Sequence, residues 1–100
     1  MSTPTVDDLQ AALEDALAFL ERHSQREADQ VRKALQEVAA SDAHGARRYL
    51  GMGRILADIY FSPSNGNASD VTEGHRLNDE WLALDDRAST LAKALLRASR

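Results

Sequence analysis

Leu77, Trp81, Leu84, Ala88, Leu91 and Leu95 alternate steps of four and three through the last third of the chain. Only an α-helix puts such positions on one face, and alternation sustained over nearly three heptads suits packing along a neighbouring helix at a shallow angle. Asp70-Val-Thr-Glu73, just ahead, has capping-box spacing. The spacing therefore predicts one long helix over about 71–98. At 1.5 Å per residue it would span roughly 40 Å. Such a helix is either the spine on which the rest of the chain lies or an element that projects partly into a partner.

The remaining segments read as shorter helices. Val6, Leu9, Leu13, Ala16, Leu17 and Leu20 form a stripe, with Asp7 and Asp8 in the first turn, where the helix dipole favours negative charge. Thr3-Pro4 or Thr5 can start this helix, expected over about 6–23. Ser24-Gln-Arg-Glu27 has capping-box spacing, and Ala28, Val31, Leu35 and Val38 continue the pattern over about 25–40. So short a connection predicts an antiparallel hairpin. Ser41 or Asp42 can cap a third helix. Gly51 and Gly53 bracket Met52 there, and each glycine costs ~1 kcal/mol relative to alanine in a helix. The expectation is a bent third helix, about 42–50 and 54–61, with Gly51 and Gly53 at the bend and Ile55, Leu56 and Ile59 filling the core. On that reading Gly53→Val costs more than ~1 kcal/mol.

Residues 62–69 carry no large apolar side chain and form a loop. Pro63 stops the preceding helix, and Asn65-Gly66 favours a tight turn with positive φ. Alanine and leucine dominate the apolar residues, whereas valine and isoleucine are scarce, which agrees with helices rather than strands. The sum is one all-α domain over 1–100, a compact bundle of four to five helices.

The same residues exclude much chemistry. There is no cysteine, hence no disulfide, thiolate metal site or cysteine nucleophile. No signal peptide is visible at the N-terminus, and no apolar run approaches the ~20 residues of a membrane span, so a cytoplasmic location and no membrane partner are expected. A net charge of −4 repels phosphate backbones and favours a basic partner surface, so nucleic acid is not an expected partner. His23, His44 and His75 fall in different elements without a metal-binding spacing. Adjacent carboxylates such as Asp85-Asp86 point about 100° apart on a helix and do not form a catalytic dyad. No Gly-x-Ser-x-Gly elbow is present, and Gly51-x-Gly53 lacks the third glycine of a dinucleotide fingerprint. No catalytic residue, metal or cofactor is expected, and the chain is not expected to be an enzyme. Trp81, the single tryptophan, reads as a core anchor. Arg47, Arg48 and Arg54 form a small basic cluster, either solvated and paired or able to recognise an acidic group.

Gly51-Met52-Gly53, Asp58, Pro63-Ser64-Asn65-Gly66, and Asn78 with Leu82 and Leu84 together resemble a small bacterial all-α domain family of unknown function. Its pattern is a helical hairpin, Gly-Met-Gly followed by a polar residue, an apolar segment with an acidic residue, a Pro-x-Asn-Gly loop and a leucine-bearing final helix. The likeness covers roughly the second half of the chain. Arg54 stands where the family carries a small polar residue. The resemblance implies no activity. It implies a stand-alone acidic helical protein, similar in type to immunity proteins of bacterial toxin systems. The expectation is a protein-binding module, immunity- or antitoxin-like, that occludes a partner such as a toxin with a basic surface. The alternative is a structural or regulatory homodimer pairing through the C-terminal stripe, with small-ligand binding or enzyme activity behind it. Candidate interaction residues are Arg54, Asp58, Tyr60, Pro63, Asn65, Gly66, Asn67 and Asn78, and Asn65→Ala is expected to affect mostly binding.

Overall fold

A computed structural model of the chain describes residues 6–40, 42–53, 56 and 58–98. It holds four helices: α1 (Val6–His23), α2 (Gln25–Ala40), α3 (Asp42–Gly51) and α4 (Val71–Ala98), with a short 3₁₀ turn at Pro63–Asn65. The all-α bundle expected from the spacing is present. The start signals at Thr3, Pro4 and Thr5, the cap at Ser41, and the residues Arg54 and Ile55 lie outside the described residues.

α1 and α2 meet at Ser24. Its N–H donates to the Leu20 carbonyl at 2.6 Å, closing α1, and its own carbonyl accepts from Ala28 N–H at 3.1 Å, opening α2. With that N–H already engaged, Glu27 cannot complete a capping box on it and accepts from the Ser24 hydroxyl instead. The chain folds back here. Arg32 lies 3.9 Å from Glu21, whereas positions eleven apart in one straight helix would be separated by roughly 16 Å. α1 buries Leu9, Ala12, Leu13, Ala16, Leu17, Phe19 and Leu20; α2 buries Ala28, Val31, Ala34 and Val38.

α3 packs on α2 through Gly45. A Cβ built on Gly45 would lie 2.5 Å from the Val38 nitrogen and 2.7 Å from its Cα, against backbone that has no room to yield. α3 ends at Gly51. Within the expected second limb, about 54–61, a helical hydrogen bond joins Leu56 N–H to the Met52 carbonyl, but the described residues 58–61 are not helical. From Tyr60 onward the backbone polar groups bond to asparagine side chains instead of continuing a helix. The bend does not depend on Gly51 or Gly53 either. Neither has a positive φ, and a Cβ on either would meet nothing within 4 Å.

α4 runs 28 residues, roughly 42 Å, and matches the molecule's longest extent of 44 Å. It packs against α1 on one side and α3 on the other, while α2 touches both of these. Its buried positions are Gly74, Leu77, Trp81, Ala88, Ala92 and Leu95. Leu84 and Leu91, expected on this stripe, are half-buried. A straight helix drifts about 20° per heptad against a strict seven-residue repeat, so the inward face passes from Leu91 to Ala92. Besides the Arg32–Glu21 contact between α1 and α2, ion pairs join neighbouring helices from Arg48 to Glu37 at 2.7 Å and from Arg87 to Asp15 at 2.8 Å.

Candidate functional site

The segment from Tyr60 to Asp70 is fastened from both ends. The Asn78 carboxamide, about two turns into α4, accepts from Phe61 N–H at 2.8 Å and donates to the Phe61 carbonyl at 3.0 Å. It completes the backbone of one residue as a neighbouring strand would. Asn67 accepts from Ser62 N–H at 2.8 Å and donates to the Tyr60 carbonyl at 2.9 Å, which Asn65 also reaches at 3.1 Å. Ser62 caps the 3₁₀ turn, its hydroxyl accepting from Asn65 N–H at 3.2 Å. Gly66 closes the turn at φ 74°, the left-handed region the Asn-Gly pair predicts. At the start of α4, Asp70 accepts from Glu73 N–H at 2.7 Å, and the Glu73 carboxylate reaches back to the hydroxyl of Ser69 at 2.8 Å.

This anchoring drives Phe61 into the core. It meets Phe19 edge-on at a centroid distance of 5.6 Å, and Phe19 stacks on Trp81 at 5.9 Å. His23 lies 4.7 Å from Phe19 and 6.0 Å from Phe61, so it belongs to this aromatic cluster. Gly74 lets the segment come this close: a Cβ there would sit 2.7 Å from the Phe61 carbonyl oxygen.

Beside the anchored segment runs a half-open groove of about 300 Å³, between Leu56, Ile59 and Tyr60 and one face of α4. Leu56, Ile59 and Trp81 line it, and the Trp81 indole N–H donates to the Leu56 carbonyl at 3.4 Å. Tyr60 and Leu82 also line it and are 56% and 62% exposed. Asp85 lines it too. Its carboxylate accepts from the buried Tyr49 hydroxyl at 2.6 Å and from Ser89 at 3.3 Å. Burial, and then the Asp85 carboxylate that this phenol donates to, keep Tyr49 protonated far above the ordinary tyrosine range.

The groove brings Tyr60, Asn78 and Trp81 together. Asp58 faces a separate surface depression with Arg26, Glu27 and Gln30. Pro63 and Gly66 are exposed at the 3₁₀ turn, and the side chains of Asn65 and Asn67 are engaged within their own segment. Arg54 lies outside the described residues. Arg47 and Arg48 line a shallow hollow with His44, and Arg48 is paired with Glu37. Leu82 was not among the expected interaction residues, although its sequence signal is simple: a large apolar residue one step off the buried stripe. Among the described residues no group of three or more histidine or acidic side chains could hold a metal ion, and no helix is long and apolar enough to cross a membrane. Compared with family models, with curated proteins and with solved structures, the chain matches none.

Proposed function

We propose that the chain is a cytoplasmic protein-binding module, immunity- or antitoxin-like in type, that acts by occluding a partner. The observation that carries this reading is the groove, where Tyr60 and Leu82 leave more than half of their surface in water beside the buried Trp81 and Leu56. Exposed aromatic and large aliphatic side chains flanking a depression are what protein interfaces use as anchors. The net charge of −4 adds attraction for a basic surface. A homodimer through the α4 stripe has less support, because Leu77, Trp81, Ala88 and Leu95 are covered by the chain's own helices.

The test is capture of the tagged chain from its native host, followed by mass photometry. A stable complex with a different protein is expected. For the occlusion reading, that protein should inhibit growth when expressed alone and lose toxicity when co-expressed with this chain. A chain recovered only as a monomer or only as a homodimer contradicts the proposal.

A further inference from the structure

We infer that the groove lined by Leu56, Ile59 and Tyr60 on one side and α4 on the other receives a protein segment bearing one large apolar side chain flanked by lysine or arginine. This rests on the protein-binding reading and assigns its site and the chemistry of its partner.

The apolar half of the inference comes from Tyr60 and Leu82, which face water on either side of the groove. The charged half comes from what surrounds Leu82. On a helix its neighbours three and four positions away are Asn78, Asp79, Asp85 and Asp86. Three of these four are carboxylates; Asp79 and Asp86 are exposed and Asp85 is half-buried. The arginines that form ion pairs among the described residues form them with other carboxylates. Arg32 pairs with Glu21 and Asp29, Arg48 with Glu37, Arg76 with Glu80 and Arg87 with Asp15. No ion pair among the described residues uses Asp79, Asp85 or Asp86. Asp85 is held in place by hydroxyls, which orient its carboxylate and leave its charge uncompensated. An apolar anchor point thus lies inside a rim of negative charge.

That rim selects the occupant. A second copy of the chain docked face to face would bring the same carboxylates against each other, which opposes self-association through this surface. An anionic lipid surface is repelled for the same reason. A segment with an apolar side chain and flanking cations satisfies both halves at once, the anchor giving affinity and the cations giving orientation and a fast approach.

The experiment selects a random peptide library displayed on phage against the immobilised full-length chain. Enriched peptides are expected to share an aromatic or large aliphatic residue with lysine or arginine nearby, and to shift the NMR resonances of Tyr60 and Leu82. Leu82→Ala should weaken a selected peptide by about tenfold or more. Asp79→Asn with Asp86→Asn should weaken it and flatten its salt dependence, with the thermal melts of both variants unchanged. Peptides that bind with shifts confined to α1 and α2 overturn the inference and leave the protein-binding reading standing. Groove-binding peptides without basic residues overturn the assigned chemistry, and sedimentation showing a dimer that Leu82→Ala dissolves overturns the assigned occupant. Absence of any enriched peptide also counts against the inference, and host capture then decides the broader reading by itself.

Discussion

Asn78 fastens the 60–70 segment to α4 with both ends of one carboxamide. The site needs a donor and an acceptor in one plane, which at neutral pH only a carboxamide supplies, and glutamine carries it one methylene further from the backbone. Asn78→Ala leaves a partly buried N–H and C=O without partners and should cost about 2–3 kcal/mol in chemical denaturation. Asn78→Asp keeps the acceptor but sets a carboxylate against the Phe61 carbonyl. Its deficit should shrink in acid, as pH falls through the carboxyl's pKa and a protonated oxygen becomes a donor. A pH-independent deficit would show that the pair of hydrogen bonds is not what matters. The glycines separate in the same residue-by-residue way. Gly74→Ala forces a methyl group toward the Phe61 carbonyl and should cost about 1–3 kcal/mol. Gly53→Ala meets open space and should be neutral or stabilise by up to ~1 kcal/mol. The cost expected of Gly53→Val through a bend loses its basis with the same observation. Melting curves for the Gly74 and Gly53 alanine variants decide both points, and equal stability of the two would contradict the packing argument.

At the scale of elements, the helices were legible because their signal is local. Leu9, Leu13, Leu17 and Leu20 state a helix face within a few turns, and Asp70 and Glu73 mark the start of α4 to the residue. The segment after α3 was not legible for the opposite reason. Its conformation is set by hydrogen bonds to Asn78, seventeen residues away, and no periodicity within residues 54–61 reports that. The asparagines were recognised as special but assigned outward, since turn chemistry in a sequence does not say which way a carboxamide points. Leu84 and Leu91 were misplaced by a smaller effect, the drift of a 3.6-residue helix against a seven-residue pattern. The contact of α3 with α4 carries a pH prediction. Tyr49 keeps its proton in the folded chain above the ordinary tyrosine pKa of ~10, at which the unfolded chain releases it. The stability this contributes is fully present below about pH 10 and declines as pH rises further. Tyr49→Phe should melt lower than wild type at neutral pH, with a difference that narrows above pH 10. A constant difference across that range would contradict it.

The whole molecule is one core closed by one long helix. The buried side chains of all four helices, with Met52, Leu56 and Phe61, form a single cluster. Unfolding should therefore be two-state, with helix loss by far-UV circular dichroism coinciding with Trp81 exposure by fluorescence. Non-coincident transitions would mean that the 60–70 segment separates from the bundle before the helices do. Folding leaves the groove beside Trp81 uncovered, and on the proposed function Tyr60 and Leu82 are exposed there for a partner and not for the fold. The double variant Tyr60→Ala with Leu82→Ala, compared with wild type for melting temperature and for capture of the host partner, tests this most directly. Melting within about 4 °C of wild type and loss of the captured partner are expected. A variant that melts far below wild type, or that still retains the partner, would contradict it.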